Sequence, residues 1–146
     1  MHIVIDASAL LKAYFPDEDG FEKAKEIIFY YSTGKLDLSA PSLIDYEVAN
    51  AVFVAYKRKR INGDQAKDIQ EKMLNLDMKR YSFNFLKKEI VDQSIKSNIS
   101  IYDASYLLLA IKLKTDLITG DKKFFNTIKD NVFNVIWIED FIPRGF

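Results

Sequence analysis

Four carboxylates in this chain stand where a carboxylate needs a reason: Asp6, Glu47, Asp103 and Asp121. Asp6 ends the apolar run Ile3-Val4-Ile5, which reads as a buried strand. In open α/β sheets ligands gather outside the carboxyl ends of the strands, where Asp6 falls. Asp103 has an ordinary explanation, because Ser100-x-x-Asp103 is a capping-box pattern and acids favour a first helical turn. Helical geometry nevertheless sets it roughly 180° from Lys112. Asp103 then shares the side of Leu107 and Ala110, while Lys112 and Ser105 mark the wet side. An acid that faces a core needs a partner. Glu47 and Asn50 form a polar island on a helix that is apolar almost all round, with Leu43, Val48, Val52 and Val54. A solvent-facing acid or a dimer interface would also account for Glu47. Asp121 follows an apolar run through Gly120. It reads equally as the N-cap of a helix from Lys122 and as a second strand-end carboxylate.

Brought together, four carboxylates repel and raise one another's pKa, and they stay ionised together only beside divalent cations. The chain has no cysteine, and its one histidine, His2, reads as a residue flanking a strand. Oxygen donors without Cys or His select Mg²⁺ or Mn²⁺. Such a site suits phosphoryl chemistry with a metal-activated water as nucleophile. Ser8 and Thr119 would bring hydroxyls to the same rim, although Ser8 also reads as the cap of a helix from Ala9. Lys12 lies just past the first acid, where it could meet a phosphate, and Lys122 and Lys123 flank Asp121.

The elements that must position these groups alternate between strand and helix. After the first strand, Ala9 to Phe15 reads as a short helix stopped by Pro16. An amphipathic helix runs from about Phe21 to Tyr31, with Gly34 as C-cap. Leu36 to Ala40 alternates like a strand. Ser42, with Asp45 three residues on, caps a long helix to about Lys59. Asn62-Gly63-Asp64 opens a helix to Leu76, and no strand separates it from the helix before, so the two form a helical hairpin. Lys79 to Phe83 reads as a short strand, and Asn84 caps a helix to Ser97. A helix from Ser100 to Leu113, a strand Asp116 to Thr119, a helix Lys122 to Lys129 and a strand Val132 to Ile138 complete the series. Alternation of this kind implies a parallel sheet covered on both faces.

Length and composition set the bounds. A chain of 146 residues that is 49% hydrophobic fits one domain with a proper core, spanning 1–146. Lys plus Arg and Asp plus Glu both number 21, so no global field draws a polyanion. Nucleic acid would be held by local patches or bound cations. Lys57-Arg58-Lys59-Arg60 is the one basic run, and a solvated helix C-terminus explains it. No apolar stretch reaches the ~18 residues of a membrane span, and the strand at the N-terminus does not read as a signal peptide. A cytoplasmic protein is expected. Leu10, Leu11, Tyr14, Phe15 and the apolar Ser42 helix exceed what a small sheet needs, so a protein interface is expected there.

Four stretches carry a resemblance. They are Ile3-Val4-Ile5-Asp6-Ala7-Ser8, Tyr46-Glu47-Val48-Ala49-Asn50-Ala51, Ile101-Tyr102-Asp103-Ala104-Ser105-Tyr106 and Leu117-Ile118-Thr119-Gly120-Asp121-Lys122-Lys123-Phe124. In this order they resemble the successive signatures of PIN-domain ribonucleases. The small size and the start Ala7-Ser8-Ala9-Leu10-Leu11-Lys12 are similar to VapC-type toxins of toxin–antitoxin modules. The resemblance implies a three-layer α/β/α fold with a parallel sheet of order 3-2-1-4-5. It implies that Asp6, Glu47, Asp103 and Asp121 form an acidic Mg²⁺ or Mn²⁺ site. Ser8 and Thr119 match small hydroxyl positions, and Asn50 a polar position near the site. Gly120 stands where other members often carry Ala or another small residue. Also implied are endoribonuclease activity on tRNA, rRNA or mRNA, homodimerisation and inhibition by a cognate antitoxin. A catalytically idle PIN-like binding module and a subunit of an RNA-processing or rRNA-maturation nuclease are the alternatives. A phosphatase-like or flavodoxin-like domain would need a phosphate-cradling glycine loop, which five glycines here do not supply.

Overall fold

The computed structural model describes residues 1–132 and 134–145. Its strands are β1 (His2–Ile5), β2 (Asp37–Pro41), β3 (Lys79–Tyr81), β4 (Asp116–Thr119) and β5 (Val135–Trp137). Its α-helices are α1 (Ala7–Lys12), α2 (Phe21–Ser32), α3 (Leu43–Lys57), α4 (Gly63–Leu74), α5 (Ile90–Ser97), α6 (Ile101–Leu113) and α7 (Lys122–Ile128). The five strands form one sheet in the order β3-β2-β1-β4-β5, with every pair parallel. The expected α/β class and strand order therefore stand.

β1 lies at the centre because Ile3, Val4 and Ile5 leave almost no surface exposed. It pairs with β2 through Ile3 opposite Leu38, and with β4 through Ile5 opposite Ile118. The Asp6 N–H donates to the Ile118 carbonyl at 3.1 Å, which carries the ladder one residue further. Chain direction across the sheet reverses at β1, with β2 and β3 on one side and β4 and β5 on the other. A reversal of this kind opens a crevice at the carboxyl ends of the two strands. α6 closes one layer with an unbroken buried stretch from Ala104 to Ala110. α3 and α4 pair as the expected hairpin.

Several local expectations are corrected. α1 begins at Ala7, because the Asp6 side chain is its cap and accepts from the Ala9 N–H. Ser42 is helical and makes no cap bond, and Asp45 instead accepts from Arg80 Nε at 2.9 Å. No helix starts at Asn84: Phe83–Phe85 is a single 3₁₀ turn, and α5 begins at Ile90. Lys112 donates to the Phe85 carbonyl at 2.6 Å, and Leu86 is buried, so tertiary contacts fix that turn. Ser105 does not mark a wet side. It is buried, and its hydroxyl donates back to the Ile101 and Tyr102 carbonyls. The final strand, Val135–Trp137, is shorter than the expected Val132 to Ile138, and Phe133 of that expected range lies outside the described residues.

The expected interface residues Leu10 and Phe15 are buried in the fold itself. The Ser42 helix, α3, does expose apolar groups as expected (Tyr46, Phe53, Tyr56), and α5 and the start of α6 expose others that the sequence did not single out (Val91, Ile95, Ile101, Tyr102). Among the described residues no helix is long and apolar enough to cross a membrane.

Candidate active site

The rim between β1 and β4 is stitched by short hydroxyl bridges. Ser8 Oγ donates to Asp6 Oδ1 at 2.6 Å and accepts from the Gly120 N–H at 2.9 Å. One serine thus fastens the end of β1 to the turn after β4. The Ala9 N–H donates to the same Asp6 oxygen at 2.8 Å. Thr119 is fully buried, hydrogen-bonds Asp6, and accepts from the Asp121 N–H at 3.1 Å. Both hydroxyl residues fall where the sequence placed them, and Ser8 is a bridge rather than a helix cap.

Asp6 is only 5% exposed. Burial pushes its carboxyl up to about 6, against the opposing hydrogen bonds from Ser8, Thr119 and the Ala9 and Gly120 backbone. Desolvation is the larger effect even against these bonds, because the carboxylate is buried and has lost its water. Asp103, half-buried in the first turn of α6, is also pushed up to about 6. Burial is the main cause, followed by the negative charges of Asp121 and then Asp6, with the Ser100 hydroxyl opposing. Ser100 also caps α6, accepting from the Asp103 N–H at 3.0 Å, so the capping pattern and the core-facing acid coexist. Glu47, half-buried on α3, is raised by burial and then by the charge of Asp103, with the Tyr106 hydroxyl opposing. Asp121 is exposed and caps α7, accepting from the Phe124 N–H at 3.0 Å.

The four acids therefore sense one another: Asp103 feels Asp121 and Asp6, and Glu47 feels Asp103. No lysine or arginine figures among the influences on Asp6, Glu47 or Asp103. Among the described residues no three His, Cys, Asp or Glu side chains close into a ready metal-binding group. A hard, oxygen-only donor set that repels itself and stays open still fits Mg²⁺, which keeps several waters and takes one or two carboxylates. Zinc would require a tight tetrahedral shell of His or Cys, which the chain does not have.

Tyr106 is the residue that sequence reasoning missed. It is 2% exposed, and its hydroxyl donates to Glu47 Oε1 at 2.6 Å. The signal was available: Tyr106 lies three residues after Asp103, hence on the same helical face. Asn50, by contrast, is exposed and makes no hydrogen bond among the described residues. Lys12 reaches the cleft beside Asp121 but is tied to Glu18 at 3.8 Å. Its stem lies across Gly120, where an added Cβ would stand 2.5 Å from Lys12 Cε. The cleft, about 390 Å³, is lined by Ser8, Lys12, Gly120, Asp121 and Lys122. A larger hollow of about 880 Å³ lies at the other end of the strands, beside Met1, His2 and Arg144, away from the acids. His2 itself is structural, with Nε2 bonded to Ser39 Oγ at 2.7 Å.

Comparison with known proteins places this arrangement. The model of the PIN domain matches residues 3–130. Ribonuclease VapC9 of Mycobacterium tuberculosis is 31% identical over 125 residues, covering 86% of this chain and 90% of that protein. Ribonuclease VapC3 of Pyrobaculum aerophilum is 29% identical over 125 residues, covering 84% and 92%. Among solved structures, PAE2754 from Pyrobaculum aerophilum superposes with a TM-score of 0.69 at 22% identity, covering 95% of this chain and 93% of that one. VapBC2 from Rickettsia felis, solved with a fragment of promoter DNA, gives 0.60 at 15% identity, covering 94% and 97%. The two superpositions speak to the fold.

Proposed function

This chain belongs to the PIN-domain family, alongside the VapC ribonucleases, and from that premise we propose that it is a divalent-metal-dependent endoribonuclease, the toxin of a toxin–antitoxin pair. One arrangement carries the reading: Asp6 and Asp121 follow the carboxyl ends of the adjacent strands β1 and β4, Asp103 on α6 feels the charge of both, and Glu47 on α3 feels that of Asp103. Such a cluster is costly in a folded protein unless a cation joins it.

Asp6, Glu47, Asp103 and Asp121 would hold Mg²⁺ or Mn²⁺. The bound ion supplies Lewis acidity for attack of water on a phosphodiester and neutralises charge in the transition state. The chain's own residues prepare the centre. Ser8 and the Ala9 N–H fix the inner carboxylate, Asp6, in one orientation. Thr119 sets the backbone that presents Asp121. Lys12 and Lys122 line the cleft beside Asp121, where they meet the RNA backbone, and phosphate contacts of this kind orient the strand without choosing its sequence.

The partners follow from the same reading: structured cellular RNA as substrate, a second copy of the chain, and an antitoxin. The exposed aromatic and aliphatic groups of α3, α5 and α6 offer surface to the protein partners. The function is tested by RNA cleavage with purified protein and Mg²⁺ or Mn²⁺, across tRNA and rRNA, comparing native chain with Asp6→Asn and Asp103→Asn. Cleavage by native protein, lost with chelator and in both variants, is expected. Equal cleavage by all three would sink the site assignment, and no cleavage by native protein would favour an idle binding module. Toxicity on expression, relieved by a small neighbouring gene product, distinguishes a toxin from a general nuclease.

A further inference from the structure

The Tyr106 hydroxyl touches more of the site than its place in the sequence suggests. Its ring is buried on α6, one turn after Asp103. The phenol donates to Glu47 on α3 at 2.6 Å, and its oxygen lies beside the Ala7 N–H, directly after Asp6. One side chain therefore ties together α6, α3 and the junction of β1 with α1. A short O–H···O⁻ bond to a carboxylate is among the stronger hydrogen bonds a protein makes. Glu47 has reason to need it, since its side chain is long, half-buried and repelled by Asp103. Without a restraint, rotation toward water would relieve both the burial and the repulsion.

We propose that Tyr106 is a positioning residue of the nuclease centre: its hydroxyl, on a ring buried in α6, holds the Glu47 carboxylate turned inward toward Asp103. The proposal rests on the nuclease reading above. The same hydroxyl that binds Glu47 sits next to the residue following Asp6, so the inner acid and the helix-borne acid keep a fixed relation. Phenylalanine at 106 would fill the same space and remove only the tether.

Tyr106→Phe tests this in two independent ways. In metal-free protein, a high-resolution crystal structure of the variant is expected to show Glu47 swung toward solvent or in several conformers. Glu47 unmoved would overturn the proposal, whatever the activity. In the loaded enzyme, kcat is expected to fall and half-saturating Mn²⁺ to rise, each by about ten- to a hundredfold, as for other residues that orient metal ligands. The KM for RNA and the thermal midpoint stay near native. In a Glu47→Ala background the same substitution should add nothing; an equal further loss there would overturn the proposal. Absence of cleavage by native protein would defeat the nuclease reading, and the Glu47 conformation would still decide the role of Tyr106.

Discussion

Asp6 is an acid placed where its charge is a burden. Its folded pKa stands near 6, against an unfolded value of 3.8. Below about pH 4 it is protonated in both states and costs nothing. Between about pH 4 and 6 the folded state holds the extra proton, so stability falls as pH rises through that window. By pH 7 the metal-free protein carries a penalty of about 3 kcal/mol from this group. Asp103 acts in the same direction. Asp6→Asn keeps an acceptor for the Ala9 N–H and removes the charge. In chelated buffer at pH 7 the variant should be more stable than native by roughly 1–3 kcal/mol. Urea unfolding at pH 4 and pH 7 checks this: the gap should be small at pH 4 and open by pH 7. A gap that does not grow with pH would place the charge of Asp6 in a better-solvated setting than the structure does. The same substitution should abolish cleavage, a gain in stability at the expense of function.

At the scale of elements, the turn from β4 into α7 is the most closely fitted part of the site. Gly120 there has Lys12 Cδ and the Ser8 carbonyl carbon each 3.1 Å from where a Cβ would be, besides the closer Lys12 Cε. Lys12 is flexible and can retreat, but the Ser8 backbone cannot without moving the hydroxyl bridge. Gly120→Ala should therefore cost about 1 kcal/mol in thermal unfolding. It should also weaken RNA binding, by displacing Lys12 from the cleft, more than it slows turnover. A KM unchanged with a lowered kcat would contradict this. The glycine thus has a local purpose: it makes room for a lysine stem.

What the sequence made legible depended on whether the signal was local. β1 and β4 could be read from Ile3-Val4-Ile5 and Leu117-Ile118 because buried parallel strands are uninterrupted apolar runs. The carboxylates could be located because they break such runs or face a buried stripe. The Asp103 inference used Leu107 and Ala110 as a buried side and Ser105 as a wet one, but α6 is buried all round from Ala104 to Ala110, with the Ser105 hydroxyl satisfied by the helix's own carbonyls. The Ser42–Asp45 cap and the Asn84 helix start failed for a different reason. Arg80 takes Asp45, and Lys112 takes the Phe85 carbonyl, and both partners are distant in sequence. Tyr106 escaped notice because a tyrosine among Ala, Leu and Ile looks like core, and only the position of Glu47 on another helix gives its hydroxyl a task.

For the whole molecule, the strand order gathers acids from distant parts of the chain. Asp6 and Asp121 come from the ends of two adjacent parallel strands, Asp103 from α6, which packs over both, and Glu47 from α3, which packs on the neighbouring β2. Net charge is zero, so on the proposed reading attraction to RNA would be local, set by a bound cation and the cleft lysines. One part of the exposed apolar surface lies on α5 and the start of α6, with Ile95 75% exposed and Val91 and Tyr102 more than half exposed. A second copy docking there predicts that Ile95→Lys shifts the chain toward monomer in sedimentation velocity with an unchanged thermal midpoint. An unaltered dimer in that variant would assign the contact to α3 and its exposed Tyr46 and Phe53 instead.

The central claim is that the acid cluster is a cation site, and carboxyl ¹³C NMR of Asp6 and Asp103 tests it directly. In chelated buffer both carboxyls should titrate near pH 6, well above ordinary aspartates. Addition of Mg²⁺ should move both midpoints down together and release protons at pH 5.5, because a cation favours the ionised forms. Midpoints that stay where they were in saturating Mg²⁺ would contradict the assignment of Asp6 and Asp103 to a metal centre.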